Sequence, residues 1–283
     1  MNKRRTFVYA ACGDRHIATV NLSLAFLKKF SRSDVIVVRS RSQAVVAHDQ
    51  VVEVIAPPGM DDHQASIFIK TSLPLLVGSP NHLCCYIDSD VVAVSDRVDE
   101  VFDHRVGPVT FASDHIAVDL FSRHAVQCGC TAGRCAHLRQ ALQTTFDVRV
   151  DSPDWRHWNG GVFLFDQDSI PFMRLWHELT MLIFDDPVWR TRDQGTLIAT
   201  IWKFGLQNQS VLPRMFNFVV DPYWGVPSSK RQSLVPRHFV VNDEYSLSPG
   251  GDKERPALLH LINGGAGRTG WQNWDEVAGL MGE

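Results

Sequence analysis

Leu83-Cys84-Cys85-Tyr86-Ile87-Asp88-Ser89-Asp90-Val91-Val92-Ala93-Val94 is an apolar run that two carboxylates interrupt before it resumes. On an extended chain, side chains at i and i+2 share a face, so Asp88 and Asp90 can converge on one cation. They break a buried-type strand instead of decorating a polar turn. An unpaired carboxylate in such surroundings costs several kcal/mol even after relaxation, so a positive group belongs beside them. A hard divalent ion held by one or two carboxylates and by phosphate oxygens meets that need. The competing reading is an Asx-turn at a strand end with Asp90 solvated.

The sequence before this stretch alternates strand and helix. Phe7-Val8-Tyr9-Ala10-Ala11-Cys12 reads as a short buried strand ending at Gly13-Asp14. Ile17, Val20, Leu24, Leu27 and Phe30 then form a stripe at spacings of three and four, the mark of a helix. Val35-Ile36-Val37-Val38 is a second strand candidate, and residues 51–55 a third, closed by Pro57-Pro58-Gly59. Strand, helix and strand in succession predict a βαβ unit and a parallel sheet. Residues 66–77 read as a helix that Pro74 breaks or kinks.

The later sequence opens with another strand candidate, Val162-Phe163-Leu164-Phe165. A helix follows from Ser169-Ile170-Pro171, a cap residue with proline in the first turn, and buries Phe172, Trp176, Leu179 and Ile183. Residues 193–204, closed by Gly205, read as a further helix. Residues 221–256 are rich in Pro, Ser, Gly and charge and read mostly as surface loop. All eight tryptophans lie after residue 150, so the early half reads as nucleotide-type α/β and the later half as aromatic-rich.

Composition narrows the function classes. The 283 residues carry 28 Lys+Arg against 31 Asp+Glu, a net charge of −3, which leaves no electrostatic footprint for nucleic acid. A 45% hydrophobic and 21% charged chain excludes disorder, collagen-like repeats and coiled coil. Six cysteines are too sparse for a disulfide scaffold. The apolar stretch over residues 6–12 is at the bottom of the range for a secretory signal core, although Ala10-Ala11-Cys12 resembles a lipoprotein cleavage site. No stretch approaches the ~18 apolar residues of a transmembrane helix. The expectation is a cytoplasmic protein with reduced cysteines, with peripheral contact at the inner face of the membrane left open and the oligomeric state undetermined.

Tyr86-Ile87-Asp88-Ser89-Asp90-Val91 resembles the Asp-x-Asp motif of GT-A glycosyltransferases, and specifically of glycosyltransferase family 8. In that family the pair holds Mn²⁺ on the diphosphate of a UDP-sugar. Trp158-Asn159-Gly160-Gly161-Val162 is similar to the family's Phe-Asn-Ala-Gly-Val strand, whose asparagine faces the reacting sugar. Asp193-Gln194 resembles its Asp-Gln helix start, implicated in donor contact and catalysis. Leu212-Pro213-Arg214-Met215-Phe216-Asn217 is similar to its Leu-Pro-x-Arg-Phe-Asn segment, and His260 falls where the family places a third metal ligand. Ala10-Ala11-Cys12-Gly13-Asp14-Arg15-His16 resembles its Ala-Ala-Asp-x-x-Tyr nucleotide segment. Lys70 stands where the family has an arginine beside the nucleotide. The loop after His260 is longer than the family's and carries Gly264, Gly265 and Arg268 where the family has a lysine loop on the diphosphate.

The resemblance implies a single GT-A α/β domain, with a mostly parallel central sheet flanked by helices. Residues 1–110 would bind the nucleotide, 111–150 form a Cys/His-rich insertion, and 151–283 shape the donor-sugar and acceptor half and carry the metal-ligand tail. Ala10, Ala11, Asp14, His16, Lys70, Asp88, Ser89, Gly264, Gly265 and Arg268 would hold the UDP-sugar. Asp88, Asp90 and His260 would hold Mn²⁺ (or Mg²⁺); a carboxylate–imidazole set suits manganese better than magnesium. Asn159, Asp193 and Gln194 would be catalytic. The implied reaction moves a hexose to a saccharide or glycolipid acceptor hydroxyl with retention. No residue stands out as a double-displacement nucleophile, which is compatible with front-face attack.

Blander readings accompany several of these residues. His16 is also explained as a helix-start residue, Lys70 as a solvated helix lysine, His260 as a satisfied strand histidine and Asp193 as a helix cap. The glycines after His260 are also explained as a flexible tail. Of Trp155, Trp158, Trp224, Trp271 and Trp274, one or two are expected at the sugar and the rest in the core. Two rival functions remain: a non-catalytic nucleotide- or carbohydrate-binding descendant, and a sugar nucleotidyltransferase, whose Gly-rich loop the first strand lacks.

Cys128-Gly129-Cys130-Thr131-Ala132-Gly133-Arg134-Cys135-Ala136-His137 lies outside the family pattern. Three cysteines and a histidine, with His124 four residues before Cys128, either close a tetrahedral Zn²⁺ site or are reduced cysteines in a helical insertion. Cys84 and Cys85 read as core residues.

Overall fold

Strand β1 (Arg4–Cys12) is buried from Thr6 onward, as a strand covered on both faces must be. Its odd residues Phe7, Tyr9 and Ala11 enter one apolar cluster and its even residues Val8, Ala10 and Cys12 another. The computed structural model describes residues 3–131, 133–220, 246–247, 253–254, 256–262, 266–267 and 274–282. β1 pairs in parallel with β2 (Asp34–Ser40) on one side and β4 (His82–Ile87) on the other. Beyond β2 lies β3 (Val51–Glu53), also parallel. Beyond β4 lies β7 (Trp158–Phe165), antiparallel, and then β6 (Thr110–Ser113), antiparallel to β7. The order β3-β2-β1-β4-β7-β6 therefore runs parallel on the early side and antiparallel on the late side. β6, inside the span expected as an insertion, is a strand of this sheet.

Helix α1 (Asp14–Phe30) makes the β1–β2 crossover and buries Ile17, Val20, Leu24 and Leu27, the stripe seen in the sequence. Helix α2 (Asp62–Val77) starts four residues before the expected position. Asp61 and Gln64 form a reciprocal capping box, each side chain accepting from the other's backbone N–H. Pro74 does not end α2, because it lies in the last turn and lacks only the donor that would reach back to residue 70. The opposite face of the sheet packs on α2, α5 (Ile170–Leu182) and α6 (Arg192–Lys203) through Ile69, Leu73, Phe172, Trp176 and Leu197. Cys84 and Cys85 are core residues, one in each cluster.

Helices α3 (Val118–Ala125) and α4 (His137–Phe146) share an apolar cluster with Trp189 and with Ile198 and Ala199 of α6. A second sheet joins β5 (Val91–Ala93), β11 (Leu258–His260) and β8 (Phe218–Val219) in the order β5-β11-β8. β9 (Ser246–Leu247) and β10 (Lys253–Glu254) pair with each other, and α7 (Trp274–Gly279) packs Trp274 and Val277 with Phe26 and Leu259. Most of residues 221–256, expected as surface loop, lie outside the described residues. Among the described residues no helix is long and apolar enough to cross a membrane.

Candidate active site

The two carboxylates sit in the turn that carries the chain from the central sheet to the small one. The Asp88 N–H bonds to the Gly161 carbonyl of β7, and the Val91 N–H returns to the Asp88 carbonyl. β5 then leads antiparallel to β11, which places His260 opposite Val91 and bonds the Leu261 N–H to the Asp90 carbonyl. One ligand atom each from Asp88, Asp90 and His260 lies within 4.8 Å of the other two. His260 Nε2 stands 3.4 Å from Asp90 Oδ1. Burial works against the charged imidazole, but Asp90 outweighs it and raises the His260 pKa.

A chain of amides fixes that histidine. His260 Nδ1 lies 2.9 Å from Asn217 Oδ1, an acceptor, so Nδ1 carries a hydrogen and Nε2 faces Asp90. Asn217 donates to Asn159 Oδ1 at 3.1 Å, and Asn159 donates to Asp114 Oδ2 at 2.9 Å. Asp114 is buried between His115 and His157. Burial alone would raise its pKa, yet those two imidazoles hold it well below the usual carboxylate range. The resemblance expects Asn159 to face the sugar, but its oxygen also accepts from the Gly161 N–H at 2.8 Å. It is a buried connector between Asp114 and the histidine anchor.

β7 bulges at this point. Ala112 pairs with Asn159 while Phe111 pairs with Phe163, so residues 160–162 leave the ladder to β6. Side chains of the site meet the released backbone groups. Gln194 accepts from the Gly160 N–H at 2.7 Å and donates to the Trp158 carbonyl at 3.1 Å, so its amide pairs with β7. A Cβ on Gly161 would lie 2.3 Å from His260 Cε1, and one on Gly160 would lie 2.8 Å from Gln194 Oε1. The two glycines make room for the site's own side chains.

Lys70 is not a solvated helix lysine. It is 5% exposed, with Nζ 3.1 Å from Asp193 Oδ2 and 3.3 Å from Asp88 Oδ1. Burial would lower its pKa, but Asp88 and Asp193 raise it; burial would raise that of Asp193, but Lys70 lowers it. Tyr86 donates its hydroxyl to Asp88, and burial together with that carboxylate pushes the phenol pKa well up. Trp176 Nε1 bonds the Asp193 carbonyl at 2.8 Å and secures the start of α6. Ser89 lies partly exposed between the two carboxylates.

The rest of the expected nucleotide segment lies at the N-terminal end of α2. An open cleft of about 780 Å³ is lined by Gly13, Asp14, Arg15, Arg41, Ser42, Gln43 and Asp62. Gly13 has φ +82°, and a Cβ there would lie 2.0 Å from Asp62 Oδ2, so the turn from β1 into α1 requires glycine. Asp14 Oδ1 already accepts from Ser42 Oγ and the N–H groups of Gln43 and Ala44. These bonds hold its pKa below the ordinary value. His16 Nδ1 contacts Ser66 Oγ at 3.0 Å, and burial followed by the neighbouring His63 lowers its pKa. Ala10 and Ala11 point into the two cores. Asp62, Ser66 and Lys70, spaced by four, share one face of α2 that runs from this cleft to Asp88 over about 12 Å.

Sequence reasoning assigned no role to Asn217, Asp114, Tyr86 or Asp62. Asn217 and Tyr86 stand within the family-like motifs, but nothing in the sequence marks Asp114 or Asp62. Gly264, Gly265 and Arg268 lie outside the described residues, as do Trp224 and Trp271. Trp158 stacks on Phe111, Trp274 packs on Phe26, and Trp155 donates to the Gln207 carbonyl. In the α3–α4 connection, Cys128, Cys130, Cys135 and His137 come together, whereas His124 stacks on Phe121 outside that group. Burial would raise the Cys135 thiol, but Ser122 and His137 lower it to about 7, while desolvation and the adjoining thiols push Cys130 up to about 11.

No family model and no curated protein matches the chain. Solved structures do. The bifunctional glycosyltransferase WbbM in its apo form superposes with a TM-score of 0.61 at 13% identity over 99% of this chain, which spans 49% of that one. The galactosyltransferase LgtC, in complex with donor and acceptor sugar analogues, gives 0.54 at 12% identity over 98% of this chain and 95% of its own. Mouse xyloside xylosyltransferase 1 in its apo form gives 0.51 at 12% identity, covering 93% and 98%. The chain spans about half the length of WbbM. At these identities the likeness concerns architecture, and the chain has the GT-A glycosyltransferase fold.

Proposed function

We propose that this protein is a metal-dependent, retaining glycosyltransferase similar to family 8, moving a hexose from a UDP-sugar to a hydroxyl of a saccharide or glycolipid. The observation that carries the reading is the convergence of Asp88, Asp90 and His260 beside Lys70 of α2, with Asp62, about 12 Å of helix earlier, lining an open cleft at the end of β1. That separation suits a nucleoside at the cleft with its diphosphate at the carboxylates. The donor set fits Mn²⁺: two carboxylates and an imidazole whose other nitrogen is anchored by Asn217. Such an ion, when bound, supplies Lewis-acid stabilisation of the charge on the departing diphosphate.

The protein's own groups orient the rest. Lys70 holds Asp193 beside Asp88 as a fixed buried charge, and Gln194 holds the bulged backbone of β7. Asp88 is engaged by Tyr86 and Lys70, Asp90 by His260, and Asp193 by Lys70. Retention by front-face attack is the stereochemical part of this proposal, and the anomeric configuration of the product tests it.

Replacing Asp90 by alanine is expected to cut Mn²⁺-dependent transfer from a UDP-hexose at least about a thousandfold, roughly 4 kcal/mol of barrier. Unchanged turnover would remove Asp90 from the site. A panel of nucleotide-sugars, followed by thermal shift with and without Mn²⁺ and by product analysis, tests the donor class. Failure of every donor to bind or turn over would refute the reading. The Lys70–Asp88 ion pair favours a second reading, since an internal cation already meets part of the carboxylate's need. A UDP-binding domain without turnover would show nucleotide stabilisation alone.

A further inference from the structure

Three thiols and an imidazole meet away from the sugar-transfer site. Cys128, Cys130 and Cys135 lie in the connection between α3 and α4, and His137 opens α4. The sulfurs of Cys128 and Cys135 are 4.0 Å apart, and the Cys130 sulfur is 3.7 Å from His137 Nδ1. All four ligand atoms lie within 4.8 Å of one another. A tetrahedral Zn²⁺ with bonds of about 2.3 Å to sulfur and about 2.0 Å to nitrogen spaces its ligands roughly 3.5–3.8 Å apart. The Cys128–Cys135 and Cys130–His137 separations already lie within about 0.2 Å of those values.

Ordinary packing does not explain them. Cys84 and Cys85 show where this fold puts cysteines as apolar residues, at 1% and 0% exposure. Cys128, Cys130 and Cys135 are each partly exposed, and all are free thiols. A Cβ added at Gly129 or Gly133 would meet nothing within 4 Å, so no core lies against the connection there. Ala136, the N-cap of α4, offers no side-chain cap, and the apolar contacts of the helix start only at Leu138. The surroundings nevertheless fix the ligands. Ser122 Oγ lies 3.0 Å from the Cys135 sulfur and accepts from the Leu138 N–H. The Asp119 carbonyl accepts from the Cys135 N–H, and the Asp119 carboxylate pairs with Arg139.

We propose that Cys128, Cys130, Cys135 and His137 form a closed Cys₃His structural Zn²⁺ site that fastens the α3–α4 connection to the start of α4. All four positions are protein ligands, so no position is open to substrate, and binding releases the thiol protons. α4 backs α6 through Leu138, Leu142 and Phe146 against Trp189, Ile198 and Ala199. The ion therefore supports the helix that presents Asp193 and Gln194, and this role stands whatever the transferred sugar is.

Elemental analysis of untagged protein purified without chelator is expected to find about one zinc per chain. Cys128→Ser/Cys135→Ser should fall below about a tenth of that, while Asp90→Ala keeps its zinc, which separates this site from the carboxylate cluster. Cobalt loaded into the wild-type chain should give thiolate charge-transfer absorption and the ligand-field bands of a tetrahedral ion. Those bands keep the test decisive if the double variant does not fold, as does an at least tenfold weaker zinc affinity in Cys130→Ser. Zinc-free protein that shows no such bands with cobalt overturns the proposal, and so does full zinc content in the double variant.

Discussion

One hydrogen atom at position 161 leaves room for the His260 ring, whose Cε1 would otherwise stand 2.3 Å from a methyl carbon. Gly161→Ala must push the ring or the strand aside. It is expected to weaken Mn²⁺ binding at least tenfold by calorimetry and to cost about 1–3 kcal/mol of stability in denaturant titration. Affinity and stability both unchanged would show that β7 yields there freely. Residues of this kind divide into those the sequence exposes and those it hides. Asp88 and Asp90 are legible because they are only two positions apart, although it is the turn between β4 and β5, and not the extended strand the sequence suggests, that brings them together. The hydrogen-bond partners of Asn159 are not, because Asp114 and Asn217 lie 45 and 58 residues away. An asparagine facing a ligand and one joining two buried groups look alike until those partners are placed. Lys70 is similar: its spacing suits an exposed helix face, and only the fold shows that face closed by Asp88 and Asp193.

At the scale of elements, α2 links the cleft to the carboxylates, so its position matters more than its propensity. Its start is written as Asp61-Asp62-His63-Gln64, a capping box that precedes the apolar periodicity and so escapes a reading based on periodicity. Asp61→Ala is expected to lower stability by about 1 kcal/mol in denaturant titration and to leave the Mn²⁺ affinity unchanged. A large loss of metal binding in that variant would mean that the first turn, not the Lys70 turn, sets the site. The long strands were legible from their apolar runs. β6 was not, because Thr110-Phe111-Ala112-Ser113 is short and mixed, and neither was the bulge in β7, which needs the partner strand to exist.

Over the whole molecule, the division into an early nucleotide half and a late aromatic half is not a division in space. β7 from the later sequence lies between β4 and β6, and of the described tryptophans Trp158, Trp176, Trp189 and Trp274 are buried. Charges spanning the sheet help hold these parts together. Asp166, at the end of β7, pairs with Lys3 and Arg105 at 2.9 Å each. Burial would raise its pKa, but the two cations outweigh burial and lower it. Because the folded value is below the unfolded one, the stability it contributes is complete above the unfolded pKa and is lost as pH falls through the folded value. Asp166→Asn is expected to lower the melting temperature by a few degrees at pH 7, with the gap to wild type closing below about pH 4. A gap that stays constant through acid would rule out the ion pairs as its source.

The pairing of β5 with β11 also sets an order in time. During synthesis Asp90 leaves the ribosome on the order of ten seconds before His260 does. Arrested nascent chains of increasing length are expected to gain Mn²⁺-dependent nucleotide binding only after residue 260 clears the exit tunnel. On the proposed function, an unfinished polypeptide with its main sheet already assembled would still lack the third member of the Asp88–Asp90–His260 cluster and would engage donor only once that imidazole has emerged.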